Sequence, residues 1–194
     1  MPHNRHSARR LLGTLFGAAL LVGWLFAPVQ SATESERLTS FKAVFIYNFI
    51  DYVQWPKETS AGVFRIGILG MSPVEGPLRE ISKKKAADGR NIEIDVFTAI
   101  DQVQGCSMLF ISNAFAPRLE GVLEKLKEKS TLTISDTPGL ASRGAAINFV
   151  LANGKLKFEI NRRTLNEAGL QASSQLLKLA ILVDDGRGDS RQAN

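Results

Sequence analysis

The sequence is poor in residues that do chemistry. Its 194 residues include one cysteine and two histidines. Both histidines, His3 and His6, fall in the first ten residues. The rest of the chain therefore excludes Ser-His-Asp and Cys-His catalysis, and imidazole metal sites with them. Cys106 alone makes no intrachain disulfide. Neither GxGxxG nor GxxxxGK followed by Ser or Thr occurs, so dinucleotide and P-loop readings fail on pattern. The segment Gly67-Ile68-Leu69-Gly70-Met71-Ser72 keeps only the general attraction of a helix start for a small anion. There is no repeat and no low-complexity tract. With 44% hydrophobic and 22% charged residues and a mean hydropathy of -0.02, the chain is neither a disordered tail, a rod nor a multi-span transporter. Its length suits one domain with an ordinary core.

Charge of one sign is also scarce. The formal net charge is +5, but Arg5, Arg9 and Arg10 stand in a segment without acids. Beyond it, 21 basic side chains face 19 acidic ones, too even a balance for a nucleic-acid partner. Lys83-Lys84-Lys85 and Arg162-Arg163 read as solvated faces. An uncharged apolar run from Leu11 to Ala27 follows the arginines, then Ala-Pro-Val-Gln-Ser-Ala. This is the layout of a signal peptide over 1–32, cut after Ser31 or Ala32. An uncleaved anchor is the competing reading, because the run nearly spans a bilayer. Both place the folded part, 33–183, outside the cytoplasmic membrane, in the periplasm of a Gram-negative cell. The segment 184–194 is too polar to pack.

What is present is a pattern of alternating strands and helices. Thr39 or Ser40 caps a helix from near Phe41 to Pro56, apolar on nearly every side, which needs cover from its own sheet and from a second body. Buried strands are expected at 63–70, 107–113 and 131–136, and a half-exposed edge strand at 91–97. Ser72 to Glu75 has the spacing of a capping box, but Gly76-Pro77 speaks against a helix starting there and favours a short one through Leu78, Ile81 and Lys84. Leu119, Val122, Leu123 and Leu126 mark another. Asn153-Gly154 joins two strands as a hairpin. A last helix runs from Ser173 to Val183. The fold class is α/β: a layered single domain, its sheet mostly parallel with an antiparallel C-terminal hairpin, and helices flanking the sheet.

Candidate functional residues are few. The acids Asp51, Asp95, Asp101, Glu159 and Asp184 form no recognisable pair. Asp136 closes a parallel strand, where it holds the turn by an Asx hydrogen bond or faces a ligand. Cys106 reads as a small buried hydrophobe, with an intermolecular bridge or a reactive thiol as alternatives. Phe45 and Phe49 pack the first helix. Tyr52, Gln54 and Trp55, at its open end, combine area with polar handles suited to a contact surface. A regulatory binding module, a small-molecule sensor and an enzyme all remain open, and the missing motifs weigh most against the enzyme.

The stretches FKAVFIYNFIDYVQWP, FRIGILG, GRNIEI, CSMLFIS, LTISDTPGLASRGAAINFV, KLKFEIN and EAGLQASSQLLKLA, in this order over 36–183, resemble the YfiR family. The resemblance implies a non-enzymatic periplasmic repressor, without cofactor or metal, that restrains an inner-membrane diguanylate cyclase through its sensory domain and so limits biofilm formation. It implies an outer-membrane lipoprotein as a second partner, and a homodimer, with Phe41, Phe45 and Tyr52 as candidate contacts. It also implies a ligand or partner site between the first and last helices, at Tyr52, Gln54, Trp55, Gln171 and Ser173. Here Gln54, Gln171 and Ser173 replace basic side chains. The family's paired cysteines are reduced to Cys106, with Met71 and Ser72 in the strand-end region where its mate is expected.

Overall fold

The computed structural model describes residues 33–56 and 62–184. The export segment, its cleavage site and the tail from 185 lie outside the described residues.

The first helix starts seven residues before Phe41. Helix α1 spans Glu34–Tyr52 and is capped by Thr33, not by Thr39 or Ser40. The Thr33 hydroxyl accepts the Glu36 N–H at 3.2 Å, and the Glu36 carboxylate accepts the Thr33 N–H at 2.6 Å. This reciprocal box satisfies two donors that a helix start leaves open. The first turns are mostly polar and exposed, so no apolar period announces them. Val53 turns the chain extended, and strand β1 (Val53–Gln54) follows before Pro56.

Strand β2 (Phe64–Leu69), helix α2 (Glu75–Ser82), strands β3 (Ala86–Ala87) and β4 (Arg90–Phe97), and strand β5 (Met108–Ile111) come next. Helix α3 (Leu119–Lys125) leads to β6 (Leu132–Ser135), β7 (Ile147–Ala152) and β8 (Lys155–Asn161). The chain ends with α4 (Arg162–Glu167), β9 (Gln171–Ala172), α5 (Ser174–Leu179) and β10 (Ile181–Val183). Eight strands form one sheet in the order β10-β8-β7-β6-β5-β2-β4-β3. Strands β4, β2, β5, β6 and β7 are parallel, and the β7–β8 hairpin is antiparallel. The α/β layering with a mostly parallel sheet is therefore as the sequence led us to expect. Asn153 and Gly154 take the positive φ angles (52° and 70°) that a two-residue hairpin loop requires.

Local detail differs from the sequence reading at three places. Ser72 does not cap α2: the N-cap is Val74, without a side-chain bond. Residues 162–167, for which the sequence suggested no helix, form α4, capped by the Asn161 side chain, with Arg162 and Arg163 exposed as expected. The last helix stops at Leu179, and Ile181–Val183 becomes β10, parallel to β8. That strand is three residues long, too short to show a period.

Alternation along the strands divides the core. Met108 and Phe110 of β5 join the cluster under α1 and α2, with Ile66, Ile68, Ile134 and Ile147. Leu109 and Ile111 join the other cluster, under α3. On the first face the Phe49 ring lies 6.0 Å from Phe149 and 5.3 Å from Phe158, and Phe45 lies 6.2 and 5.8 Å from the same two. Lys42 of α1 pairs with Asp136 at 2.6 Å, just past the carboxyl end of β6. Asp136 thus makes an ion pair with the helix rather than an Asx turn, and the Thr137 N–H goes to the Ser135 hydroxyl at 3.3 Å instead.

Phe49→Ala removes the centre of this stack and is expected to destabilise the fold by about 3–5 kcal/mol, read as a lower urea midpoint at unchanged slope. A loss below about 1 kcal/mol would show that α1 does not depend on it.

Candidate functional site

The end of α1 and the start of α5 are joined by a two-stranded antiparallel ribbon. Strand β1 pairs with β9 in the register Val53↔Ala172 and Gln54↔Gln171. The Ser173 N–H donates to the Tyr52 carbonyl at 2.8 Å and continues the pairing. Tyr52, Gln54, Gln171 and Ser173, more than a hundred residues apart in sequence, therefore meet in one place. Directly opposed residues of an antiparallel pair share a face. Gln54 and Gln171 lie exposed while Val53, on the other face, is buried.

The four residues differ in what they leave free. The Ser173 hydroxyl accepts the Leu176 N–H at 3.2 Å and caps α5. Trp55 points inward: its indole N–H donates to the Ser107 carbonyl at 3.2 Å, and its ring meets Phe64 edge-on at 5.3 Å. The Arg90 guanidinium lies 5.1 Å from the same Phe64 ring. Trp55 is thus a strut under the ribbon. The ribbon offers two carboxamides and the Tyr52 side chain, which are hydrogen-bonding groups without a nucleophile or a general base. It sits beside Phe64 and Ser107, at the amino ends of β2 and β5. Open α/β sheets more often bind ligands at the carboxyl ends.

Of the residues expected at a dimer contact, Phe41 is 58% exposed. Tyr52 is exposed as well, but Phe45 is half-buried in the aromatic stack. Val44, also exposed, extends the Phe41 ridge. A groove of about 340 Å³ opens beside it, lined by Val44, Tyr47, Ile81 and Lys84. A second hollow, of about 470 Å³, lies between α3 and α4. Neither includes the ribbon residues.

Cys106 is buried. Burial is the main reason its thiol is pushed up to about 11. The position facing it is Gly67 rather than Met71 or Ser72: a Cβ there would stand 3.4 Å from the Cys106 sulfur. The same Cβ would meet Phe97 at 2.7 Å and Leu109 at 2.9 Å, so packing keeps position 67 without a side chain. Sequence reasoning missed Asn148. It is buried on β7, donates to Glu159 at 3.0 Å, and keeps a carboxamide oxygen without a hydrogen-bond partner among the described residues. Nothing in its strand-like surroundings marks it. Among the described residues no group of three or more His, Cys, Asp or Glu could hold a metal ion, and no helix is long and apolar enough to cross a membrane.

A family model described as YfiR/HmsC-like matches residues 39–181. The chain belongs to the YfiR/HmsC-like family. That membership is consistent with a periplasmic regulator and fits regulation better than catalysis. No curated protein matches the sequence. Among solved structures, the chain is similar to the ABC domain in complex with L-Trp from Streptococcus pneumonia, at 12% identity over 62% of this chain, with a TM-score of 0.46. It is also similar to a conserved domain protein from Vibrio cholerae, at 15% identity over 74% of this chain, with a TM-score of 0.48. The aligned parts span 55% and 59% of those two chains.

The thiol generates a prediction. At pH 8 folded Cys106 stays protonated and is expected to react with an aromatic disulfide reagent far more slowly than in the denatured chain. Well below the ordinary value of 9.0 the thiol is protonated in both states and the full stability is present. Between the ordinary value of 9.0 and about 11 the unfolded chain ionises first. Stability should fall over that window by up to about 3 kcal/mol, and Cys106→Ala should lack this component. Equal thiol reactivity in the folded and denatured protein would contradict the burial.

Proposed function

We propose that this YfiR/HmsC-like protein is a periplasmic binding module that holds an inner-membrane diguanylate cyclase inactive, with residues 1–32 as the export signal and the domain from 33 as the working part. The observation that carries the reading is the family match across 39–181. The ribbon supports it, because it gathers groups suited to recognition rather than to bond making. The module works by preference: it shifts the cyclase sensory domain only as far as it binds the inactive conformation more tightly than the active one. An outer-membrane lipoprotein that binds the module competes for it and releases the cyclase.

The ribbon is the part of this surface whose chemistry is easiest to specify. Gln54 and Gln171 side by side present neutral donors and acceptors, so the group recognised there is itself uncharged or paired, and binding at this point is only weakly dependent on salt. Trp55 and Phe64 hold the ribbon against the sheet, so recognition needs little local ordering.

Deleting the gene should raise cellular cyclic di-GMP and biofilm, and the wild-type gene should restore both. A chain carrying Gln54→Glu and Gln171→Glu, with two like charges in direct opposition, should restore them poorly while melting within about 5 °C of wild type. Unchanged cyclic di-GMP in the deletion strain would end the regulatory reading. Full rescue by the double variant would move the contact away from the ribbon.

A further inference from the structure

Helices α1 and α2 diverge toward the end of α2, and the groove of about 340 Å³ opens there. Leu78 is buried in the core, but Ile81, one turn on, is half-buried, and the chain leaves the helix through Lys83-Lys84-Lys85. Val44, Tyr47 and Ile81 give the groove its apolar lining. The Tyr47 hydroxyl donates to the Ala86 carbonyl at 3.3 Å, so its polar end is engaged and its ring is what remains for contact. The same bond brings Lys84 and Lys85 beside Tyr47 and Asn48. Glu80, a carboxylate in the lining, is paired with Lys83 at 2.6 Å. Lys84 and Lys85 have no ion pair among the described residues, and the Asn48 carboxamide has no hydrogen bond there. From Asn48 an apolar row runs back along α1 through Val44 to the exposed Phe41, about 10 Å away along the helix.

We propose that this groove binds a single alkyl chain with a carboxylate head, a medium-chain fatty acid. The carboxylate sits among Lys84, Lys85 and Asn48, and the chain lies over Tyr47, Ile81 and Val44 toward Phe41. Two ammonium groups without a partner and a carboxamide supply donors for the lone-pair positions of a carboxylate. A mostly apolar hollow of this size, with a few polar groups gathered at one point, is the usual form of a small-ligand site. The dimensions argue against larger occupants. An amphipathic helix docks through anchors at i, i+3 or i+4 and i+7, whereas Val44 to Asn48 and Glu80 to Lys84 line the groove for one turn each. A bilayer is met by protruding apolar side chains, and Tyr47 and Ile81 are recessed against the core. The groove is separate from the ribbon of Gln54 and Gln171, and its ligand does not depend on what the protein regulates.

Titration calorimetry of the purified protein with decanoate in low-salt buffer should show a single site per chain. Lengthening the acid from octanoate should tighten binding by about two- to fourfold per methylene, until the chain passes Phe41. Added salt should weaken binding, because both lysines are exposed. Decyltrimethylammonium, with the same chain and the opposite charge, should bind at least about tenfold more weakly. Lys84→Glu combined with Lys85→Glu should reverse that preference. Val44→Glu, at an exposed position, should abolish decanoate binding while melting within about 5 °C of wild type. Gln54→Glu with Gln171→Glu should leave decanoate binding unchanged. No decanoate binding, equal binding of the cationic amphiphile, or binding indifferent to the Val44 and lysine variants would overturn the proposal. So would loss of binding in the ribbon variant. A Val44→Glu chain whose mass by light scattering falls by half would overturn it too, giving the groove to a second copy.

Discussion

The seating of α1 on the β7–β8 hairpin is the contact from which the rest of this domain takes its form. Phe45 and Phe49 lie against Phe149 and Phe158, and this stack determines where the helix ends and hence where β1 can meet β9. The Lys42–Asp136 pair acts at the other half of the helix, but the magnitudes are unequal. A partly exposed ion pair contributes at most about 1 kcal/mol. Burying one phenylalanine contributes about 1.5–3 kcal/mol, and each aromatic pair adds about 0.5–1.5. Packing holds the helix, and the ion pair orients it.

This arrangement sets the polarity of the domain. Successive crossovers from β2 to β4 and from β5 to β6 carry α2 and α3 to opposite faces, as right-handed connections in opposite directions require. The usual ligand crevice would open at the carboxyl ends, near Gly70 and Ser112. There the Ser112 hydroxyl already fills the space beside Gly70: a Cβ on that glycine would come within 2.3 Å of it. The ribbon instead stands at the amino ends, braced by Trp55 against Phe64 and by its bond to Ser107. The ribbon residues line neither of the two hollows described above.

Much of the fold was legible in the residues. The apolar runs of β2, β5 and β6 are long enough to declare buried parallel strands, and Asn153-Gly154 declares the hairpin. The misses share a cause. The first turns of α1, helix α4 and strand β10 are short or polar, so they carry no period, and they exist because capping bonds or neighbouring strands stabilise them. Residues 174–179 and 181–183 read together as one helix, yet the first segment is helix and the second strand. The free edge of β8 decides that. Trp55 shows the same limit at the site: an aromatic at the end of a helix looks available, and only the position of the Ser107 carbonyl shows that its N–H is already used.

Residue types alone determined what chemistry this protein is without: after the first ten residues it has no imidazole, and it has a single thiol. They also determined the layered class of the fold, because periods of two and of three to four residues dictate which faces must be buried. Tertiary structure alone decided which distant residues meet. Gln54 and Gln171 become neighbours, Gly67 rather than Met71 faces Cys106, and β10 comes to stand beside β8 at the end of the sheet order. Each is a long-range juxtaposition, set by how the sheet closes and which strand lies last, and local spacing carries no record of it.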